Sequence, residues 1–84
     1  MIGAGIIEVN THGLRTEEAL RAVQRAVLAA GPAVYRIRVI HGYHGGTRIR
    51  EAIRDEYSYE REPKVKRLEM GANEGITDLI LREY

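Results

Sequence analysis

Cysteine, phenylalanine and tryptophan are all missing from this chain of 84 residues. Without cysteine there is no disulfide framework and no thiolate metal site, which suits a reducing compartment, and we predict a cytoplasmic location. Without phenylalanine and tryptophan, the core has to be built from valine, isoleucine, leucine and alanine, with five tyrosines for bulk. A chain this short buries only about 60–65% of its unfolded surface, so we expect one domain over residues 1–84.

Long apolar runs and an excess of one charge are lacking too. No run approaches the roughly 18 apolar residues that a membrane span needs, so no membrane association is expected. The opening sequence MIGAGIIEVN has neither the basic region nor the apolar length of a signal peptide. Thirteen basic and twelve acidic residues give a formal net charge of +1. Such a balance gives no global attraction to nucleic acid, so any basic surface must be local.

Apolar periodicity predicts the element order βαβαββ. Residues 6–10 alternate as a strand, and residues 16–30 carry a helical apolar stripe that begins at Thr16 as N-cap and stops at Gly31-Pro32. We expect further strands over 33–40, 65–70 and 76–82, a second helix after Thr47, a linker over 58–64 and a turn over 71–75. Strand–helix–strand units form right-handed crossovers between parallel strands. The sequence therefore predicts an α/β fold, a two-layer βαβαββ sandwich whose four-stranded mixed sheet carries both helices on one face.

The other face of this sheet is expected to be polar. Its predicted members are Glu8, Asn10, Arg36, Arg38, Arg67, Asp78 and Arg82. One interpretation is a solvated face, which mixed sheets often have and which the charge balance favours. The other is a platform on which Arg36 and Arg38 bind an extended polyanion.

One junction occurs twice. VNTHGLRTEEAL and VIHGYHGGTRIREAI each run from a strand through His-Gly and a short loop into a helix. Ligands of open α/β sheets collect outside the carboxyl ends of the parallel strands, where His12 and His41 both fall. Neighbouring strands lie about 4.8 Å apart, so both imidazoles would stand over one small patch. A single His-Gly is more simply a turn, but two at equivalent places favour a shared site.

The glycine-rich loop before the second helix predicts an anion site. Gly42, Gly45 and Gly46 would let a ligand approach the main chain closely. The first amide groups of the helix that follows Thr47 are unpaired donors with partial positive charge.

Two side chains near this loop strengthen the prediction, and two others leave alternatives open. Arg48 and Arg50 oppose the helix dipole, a conflict that a bound phosphate would relieve. Tyr43 either stacks on a base or covers the edge of the core, and His44 is the third histidine of the chain.

A histidine pair beside a phosphate site fits general acid–base cleavage of a phosphodiester, because histidine titrates near neutral pH. RNA supplies its own nucleophile, the 2′-hydroxyl, whereas DNA needs an activated water that is usually metal-assisted. Three histidines without a clear carboxylate partner form a poor ligand set. We therefore predict no metal site and no required cofactor, although a divalent metal stays compatible with the sequence.

These motifs resemble those of the small MutS-related (Smr) domain family, from about residue 7 to residue 84. The family's L-D-x-H motif, H-G-x-G motif and final glycine–threonine strand correspond to VNTH (9–12), HGYHGGTRIR (41–50) and GITDLIL (75–81). The resemblance implies a βαβαββ fold similar to the C-terminal domain of translation initiation factor three. It also implies nucleic-acid binding and, in several members, endonuclease activity that nicks DNA or cleaves RNA, including messenger RNA on stalled ribosomes.

The chain departs from the family motifs at two places. Asn10 stands where the motif has aspartate and, being uncharged, cannot act as a base. Residues 43–46 stand where Lys-Gly-x-Gly is common.

We therefore predict a nucleic-acid-binding Smr domain that acts on RNA or structured DNA. It is a hydrolase of the endonuclease type if Asn10, His12 and His41 form a catalytic set, and the asparagine leaves this open. The alternative is a non-catalytic module that binds nucleic acid, the ribosome or a DNA repair protein. The oligomeric state is not predicted.

Overall fold

The computed structural model describes residues 5–42, 47–58 and 62–82. Six elements follow one another in the predicted order: β1 (Ile6–Asn10), α1 (Thr16–Ala29), β2 (Arg36–Ile40), α2 (Arg48–Tyr57), β3 (Arg67–Met70) and β4 (Ile76–Ile80). The strands form one sheet in the order β1-β2-β4-β3. β1 and β2 are parallel, and β4 is antiparallel to both β2 and β3. The predicted α/β fold with a four-stranded mixed sheet is confirmed.

The ends of three strands differ from the prediction because their residues bond elsewhere. β2 begins at Arg36 rather than at residue 33, since the Val34 N–H closes a turn onto the Gly31 carbonyl at 3.0 Å. β3 begins at Arg67 rather than at residue 65, since the Val65 N–H closes another turn onto the Glu62 carbonyl at 3.0 Å. β4 ends at Ile80 rather than at residue 82, since the N–H groups of Leu81 and Arg82 both donate to the Tyr35 carbonyl, at 2.8 and 3.3 Å.

The start of α1 also corrects the sequence prediction. Thr16 is the first helical residue, and Arg15 occupies the N-cap position. The Arg15 N–H donates to Glu18 Oε1 at 3.0 Å, so a side chain of the first turn satisfies the backbone of the cap.

The core is aliphatic, as the composition predicts, and it lies between the sheet and both helices. The described residues that form its buried cluster are Val23, Val27, Ile37, Val39, Ile53, Tyr57, Val65, Leu79 and Leu81. Val23 and Val27 come from α1, Ile53 and Tyr57 from α2. No helix among the described residues has the length and apolar character needed to cross a membrane.

The sheet face opposite the helices carries charges that neutralise one another. Asp78 is completely shielded from solvent, with Arg36 Nη1 2.5 Å from its Oδ2 and Arg38 Nε 3.4 Å from its Oδ1. The hydrogen bond to Asp78 raises the pKa of the Arg36 guanidinium, which also lies 3.3 Å from Glu69. Both arginines predicted to contact a polyanion are therefore held by carboxylates of their own sheet, an arrangement that favours the solvated-face interpretation.

Candidate nucleic-acid interface

The two strand–helix junctions meet at one edge of the sheet. Asn10 at the end of β1 lies opposite Ile40 at the end of β2. The next residue, Thr11, donates its N–H to the Ile40 carbonyl at 2.9 Å and its hydroxyl to the same oxygen at 3.2 Å. Thr11 is buried, so these bonds fix the start of the first loop against the end of β2.

The first junction turns tightly after Thr11. Asn10 Oδ1 accepts a hydrogen bond from the His12 N–H at 3.0 Å, which is the local turn that asparagine and aspartate both favour. Gly13 then adopts a φ of +88°, a conformation that costs glycine little. Asn10 therefore keeps the turn that the aspartate of the family motif would make, and His12 stands exposed beyond it.

The imidazole of His12 lies on the backbone of the second junction. Gly42 adopts a φ of +74°, and a Cβ placed there would stand 2.7 Å from His12 Cδ2. Carbon atoms in ordinary contact are about 3.5–4.0 Å apart, so only glycine leaves room for the ring. The junctions are therefore in direct contact, as the parallel pairing of β1 and β2 predicts.

His41 differs from His12, although the sequence places them at equivalent positions. It is buried, and its Nδ1 lies 2.8 Å from the Gly42 carbonyl oxygen while its Nε2 lies 2.8 Å from Thr77 Oγ1. A carbonyl only accepts, so Nδ1 carries a hydrogen, and in the neutral ring Nε2 accepts the Thr77 hydroxyl. Both ring nitrogens of His41 are thus used within the protein.

Backbone bonds tie the same residues to the start of β4. The N–H groups of His41 and Gly42 both donate to the Gly75 carbonyl, at 2.9 and 3.0 Å. Gly75 and Thr77 belong to the glycine–threonine motif of the last strand, so this motif positions the second junction.

A cavity of about 450 Å³ opens where the two junctions meet. The first turns of both helices border it, α1 through Thr16 and α2 through Arg48, together with His12 and Gly42. Each helix N-terminus carries unpaired amide donors and partial positive charge. Both helices therefore direct their positive ends toward one space, which we call the junction cavity.

Three arginines line the junction cavity: Arg15, Arg48 and Arg50. None of the described residues in its lining is acidic. Arg50 is half-buried, and its Nε is buried with no hydrogen-bond partner among the described residues. A buried donor left unpaired costs about 1–3 kcal/mol, and a turn of the Arg50 guanidinium toward a ligand oxygen in the cavity would remove that cost.

The structure gathers five of the predicted site residues at the junction cavity: His12, His41, Gly42, Arg48 and Arg50. Asn10 and Thr47 do not line the cavity themselves but adjoin residues that do. Asn10 accepts the hydrogen bond from the His12 N–H, and the Thr47 hydroxyl donates to Glu51 Oε2 at 2.6 Å in the first turn of α2. Arg36 and Arg38 lie apart from it on the paired sheet face.

Four predicted residues, Tyr43, His44, Gly45 and Gly46, lie outside the described residues. Five lining residues were not predicted as site residues: Gly13, Leu14, Arg15, Thr16 and Ile49. Arg15 is the charged one among them. The argument that singled out Arg48 and Arg50, a cation at the start of a helix, applies equally to Arg15 and could have found it.

No three histidine, cysteine or acidic side chains stand together as a metal site within the part of the chain that the structure describes. The guanidinium groups and backbone N–H groups around the junction cavity donate hydrogen bonds and accept none, which suits an anion.

Comparison with known proteins identifies the fold. No protein-family model and no curated protein matches the chain. Among solved structures it is similar to the Smr domain of Thermus thermophilus MutS2, with a TM-score of 0.78 and 29% sequence identity, covering 92% of this chain and 99% of that one. A coverage of 92% extends far beyond a single strand–helix–strand unit. The chain therefore has the fold of an Smr domain, as its motifs predict.

Proposed function

We propose that this protein binds nucleic acid by holding a backbone phosphate in the junction cavity. The observation that carries the proposal is the convergence of Arg15, Arg48 and Arg50 on one cavity without an acidic residue in its described lining. The formal net charge of the whole chain is only +1, so this concentration of positive charge is local. The Smr-domain fold supports the proposal, because the family motifs imply nucleic-acid binding.

Two unfavourable interactions at the cavity also support the proposal. An arginine in the first turn of a helix opposes the dipole by about 0.3–1 kcal/mol, and the unpaired Nε of Arg50 adds a cost of its own. A phosphate would remove the first cost directly, and the second once the Arg50 guanidinium turns toward it, because its oxygens accept charge-assisted bonds from guanidinium groups and from the free amides of a helix N-terminus.

Binding is tested by fluorescence anisotropy with labelled single-stranded RNA and DNA. Arg15→Gln and Arg48→Gln should each weaken binding about tenfold, the loss of one charge-assisted hydrogen bond. Arg25→Gln is the matched control, because Arg25 is exposed on α1 and does not border the junction cavity. Arg48→Gln also removes a charge that opposes the dipole, so weaker binding cannot be explained by unfolding. Equal affinities for all three variants would refute the proposal.

Cleavage of RNA is the second candidate function, favoured by the exposed imidazole of His12 at the junction cavity. His12 would take the proton from the 2′-hydroxyl, whose oxygen attacks phosphorus; the departing 5′-oxygen takes a proton from water, leaving a cyclic phosphate. His41 would position Gly42 rather than move this proton, since both its ring nitrogens are occupied.

Cleavage is tested with end-labelled RNA, with and without a chelator, using a matched RNA that has one 2′-deoxy position at the cut site. His12→Gln and the 2′-deoxy substitution should each abolish the cut. Asn10→Asp should keep the turn and restore the aspartate of the family motif, so it shows whether that charge is needed. A cut that survives His12→Gln would rule out His12 as the base.

The alternative function is a module that binds the ribosome or a repair protein through protein contacts. In that case, replacing the arginines of the junction cavity would not change the affinity of the protein for bare nucleic acid.

A further inference from the structure

A second cavity, of about 480 Å³, lies between α2 and β3. Arg50 lines both this space and the junction cavity, so the two are adjacent. Arg54 follows Arg50 by one helical turn, about 6 Å along the axis, and Lys66 and Arg67 border the space from the β3 side. We call this second space the α2–β3 groove.

The groove is strongly basic. Its one described acidic residue, Glu69, accepts a hydrogen bond from Arg67 and lies 3.3 Å from Arg36. The bond from Arg67 lowers the pKa of the Glu69 carboxyl. The carboxylate therefore stays ionised, and its charge is balanced by Arg67 and Arg36.

The two cavities together concentrate the charge of the molecule. Their described linings hold six arginine and lysine side chains against one glutamate, a formal net charge of +5. The whole chain carries +1, so all remaining residues together carry −4. The positive charge therefore follows one path from the start of α1, past Arg50, to the edge strand β3.

Apolar side chains also line the two cavities, beside the cations. Leu68, Met70 and Ile76 line the groove beside the cations, and Met70 is 63% exposed. Of the three large apolar residues that stand exposed in the described part of the chain, Met70 lines the groove and Leu14 lines the junction cavity. A flexible thioether packs well against an aromatic ring.

This pairing of cations with exposed apolar groups discriminates between forms of nucleic acid. A duplex keeps its bases stacked inside and presents mainly phosphates at its surface. An unpaired nucleotide offers a phosphate to the cations and a base face to the apolar side chains, as in other single-strand grooves.

We propose that the α2–β3 groove is a second nucleotide subsite, and that an unpaired strand of nucleic acid runs from the junction cavity past Arg50 into it. Arg50 stands between two successive phosphates, Arg54 and Lys66 hold the outer one, and Met70 contacts its base. The inference rests on the proposed function of the junction cavity and adds the path and the single-stranded form of the ligand.

The test measures the affinity of a fluorescent octanucleotide for three double variants. Arg54→Gln/Lys66→Gln removes cations of the groove, Arg15→Gln/Arg48→Gln removes those of the junction cavity, and Arg21→Gln/Arg25→Gln removes two exposed charges of α1 outside both linings. The first two should each lose at least about tenfold in affinity, and the control less than about twofold.

The outcomes separate the two proposals. If the groove variant binds like the control while the cavity variant is weakened, the second subsite is wrong and the first stands. If neither is weakened, both are wrong.

The single-stranded form of the ligand is tested separately with Met70→Gln and a duplex of the same sequence. The variant should lower affinity for the single strand by about two- to tenfold, as the loss of one contact between sulfur and a base ring, and leave duplex binding unchanged. Tighter binding of the duplex, with no effect of Met70→Gln on the single strand, would overturn this assignment.

Discussion

Replacing Gly42 by alanine should disturb the candidate site far more than replacing Gly13, although both changes strain the backbone alike. The two glycines have φ angles of +74° and +88°, a region in which a side chain costs about 1–2 kcal/mol. In a domain of this size, 1 kcal/mol changes the melting temperature by about 4–8 °C. Gly13→Ala and Gly42→Ala should therefore melt at similar temperatures, both about 4–16 °C below the wild type.

What separates them is the space around the added methyl group. At Gly13 no atom lies within 4 Å of the new Cβ, whereas at Gly42 it would stand 2.7 Å from His12 Cδ2 and 3.4 Å from His12 Nε2. His12 is exposed, so its ring can rotate away at little further cost in stability. That rotation removes the imidazole from its place at the junction cavity.

The assay combines thermal unfolding, NMR of the His12 ring and oligonucleotide binding on the same samples. Gly42→Ala should shift the His12 ring signals and weaken binding, and should lower any RNA cleavage most of all. Gly13→Ala should lower the melting temperature to a similar extent but leave the His12 ring signals, binding and cleavage near those of the wild type. Equal functional losses in the two variants, or no loss in either, would refute the idea that the contact between His12 and Gly42 organises the site.

Three other changes probe the packing around the site. Thr77→Val removes the hydroxyl that His41 Nε2 contacts at 2.8 Å but keeps the side-chain shape, so the free energy of unfolding in urea should fall by about 1–3 kcal/mol; an unchanged midpoint would contradict this. Lys64 Nζ donates to the Val27 carbonyl at 3.0 Å and so caps the end of α1, whose own last turn has no basic residue. Lys64→Met should therefore lower the free energy of unfolding by about 0.5–1.5 kcal/mol and speed amide exchange at the end of α1. Unaltered exchange would contradict this capping role. Burial, with Glu56 and Glu62 nearby, raises the pKa of the Tyr57 phenol in the folded protein. The neutral phenol therefore stabilises the fold fully below the unfolded pKa of about 10, and this contribution is lost as the pH rises through the pKa of the folded state. Tyr57→Phe should therefore reduce the alkaline loss of stability, and parallel pH curves for variant and wild type would contradict the assignment.

The element order and the parallel pairing of β1 with β2 could be predicted because they depend on local periodicity and on the handedness of the crossover. The strand ends could not. Residues 33–35 continue an apolar pattern, yet the Val34 N–H closes a turn and the Tyr35 N–H bonds to Gly5 at 2.8 Å. The pattern of apolar and polar side chains does not show which backbone N–H groups close a turn and which pair with a neighbouring strand.

The meeting of the two strand–helix junctions was predictable, but the surroundings of the individual side chains there were not. Register placed both histidines at one sheet edge, but the burial of His41 depends on Thr77, 36 residues further along. In the same way, alternation assigned Asp78 to the polar face, while its complete burial comes from two arginines of the neighbouring strand. Contacts between distant segments decide whether a polar residue is available to a ligand.

The central claim, that phosphates bind in the junction cavity, is tested most directly by the salt dependence of octanucleotide binding. For a single strand, each phosphate contact contributes about 0.7 to the slope of log K against log salt concentration. Arg15→Gln/Arg48→Gln should make the slope shallower by about 1.4 if each arginine neutralises one phosphate, while Arg21→Gln/Arg25→Gln keeps the wild-type slope. A cavity variant whose slope equals that of the wild type would contradict the account.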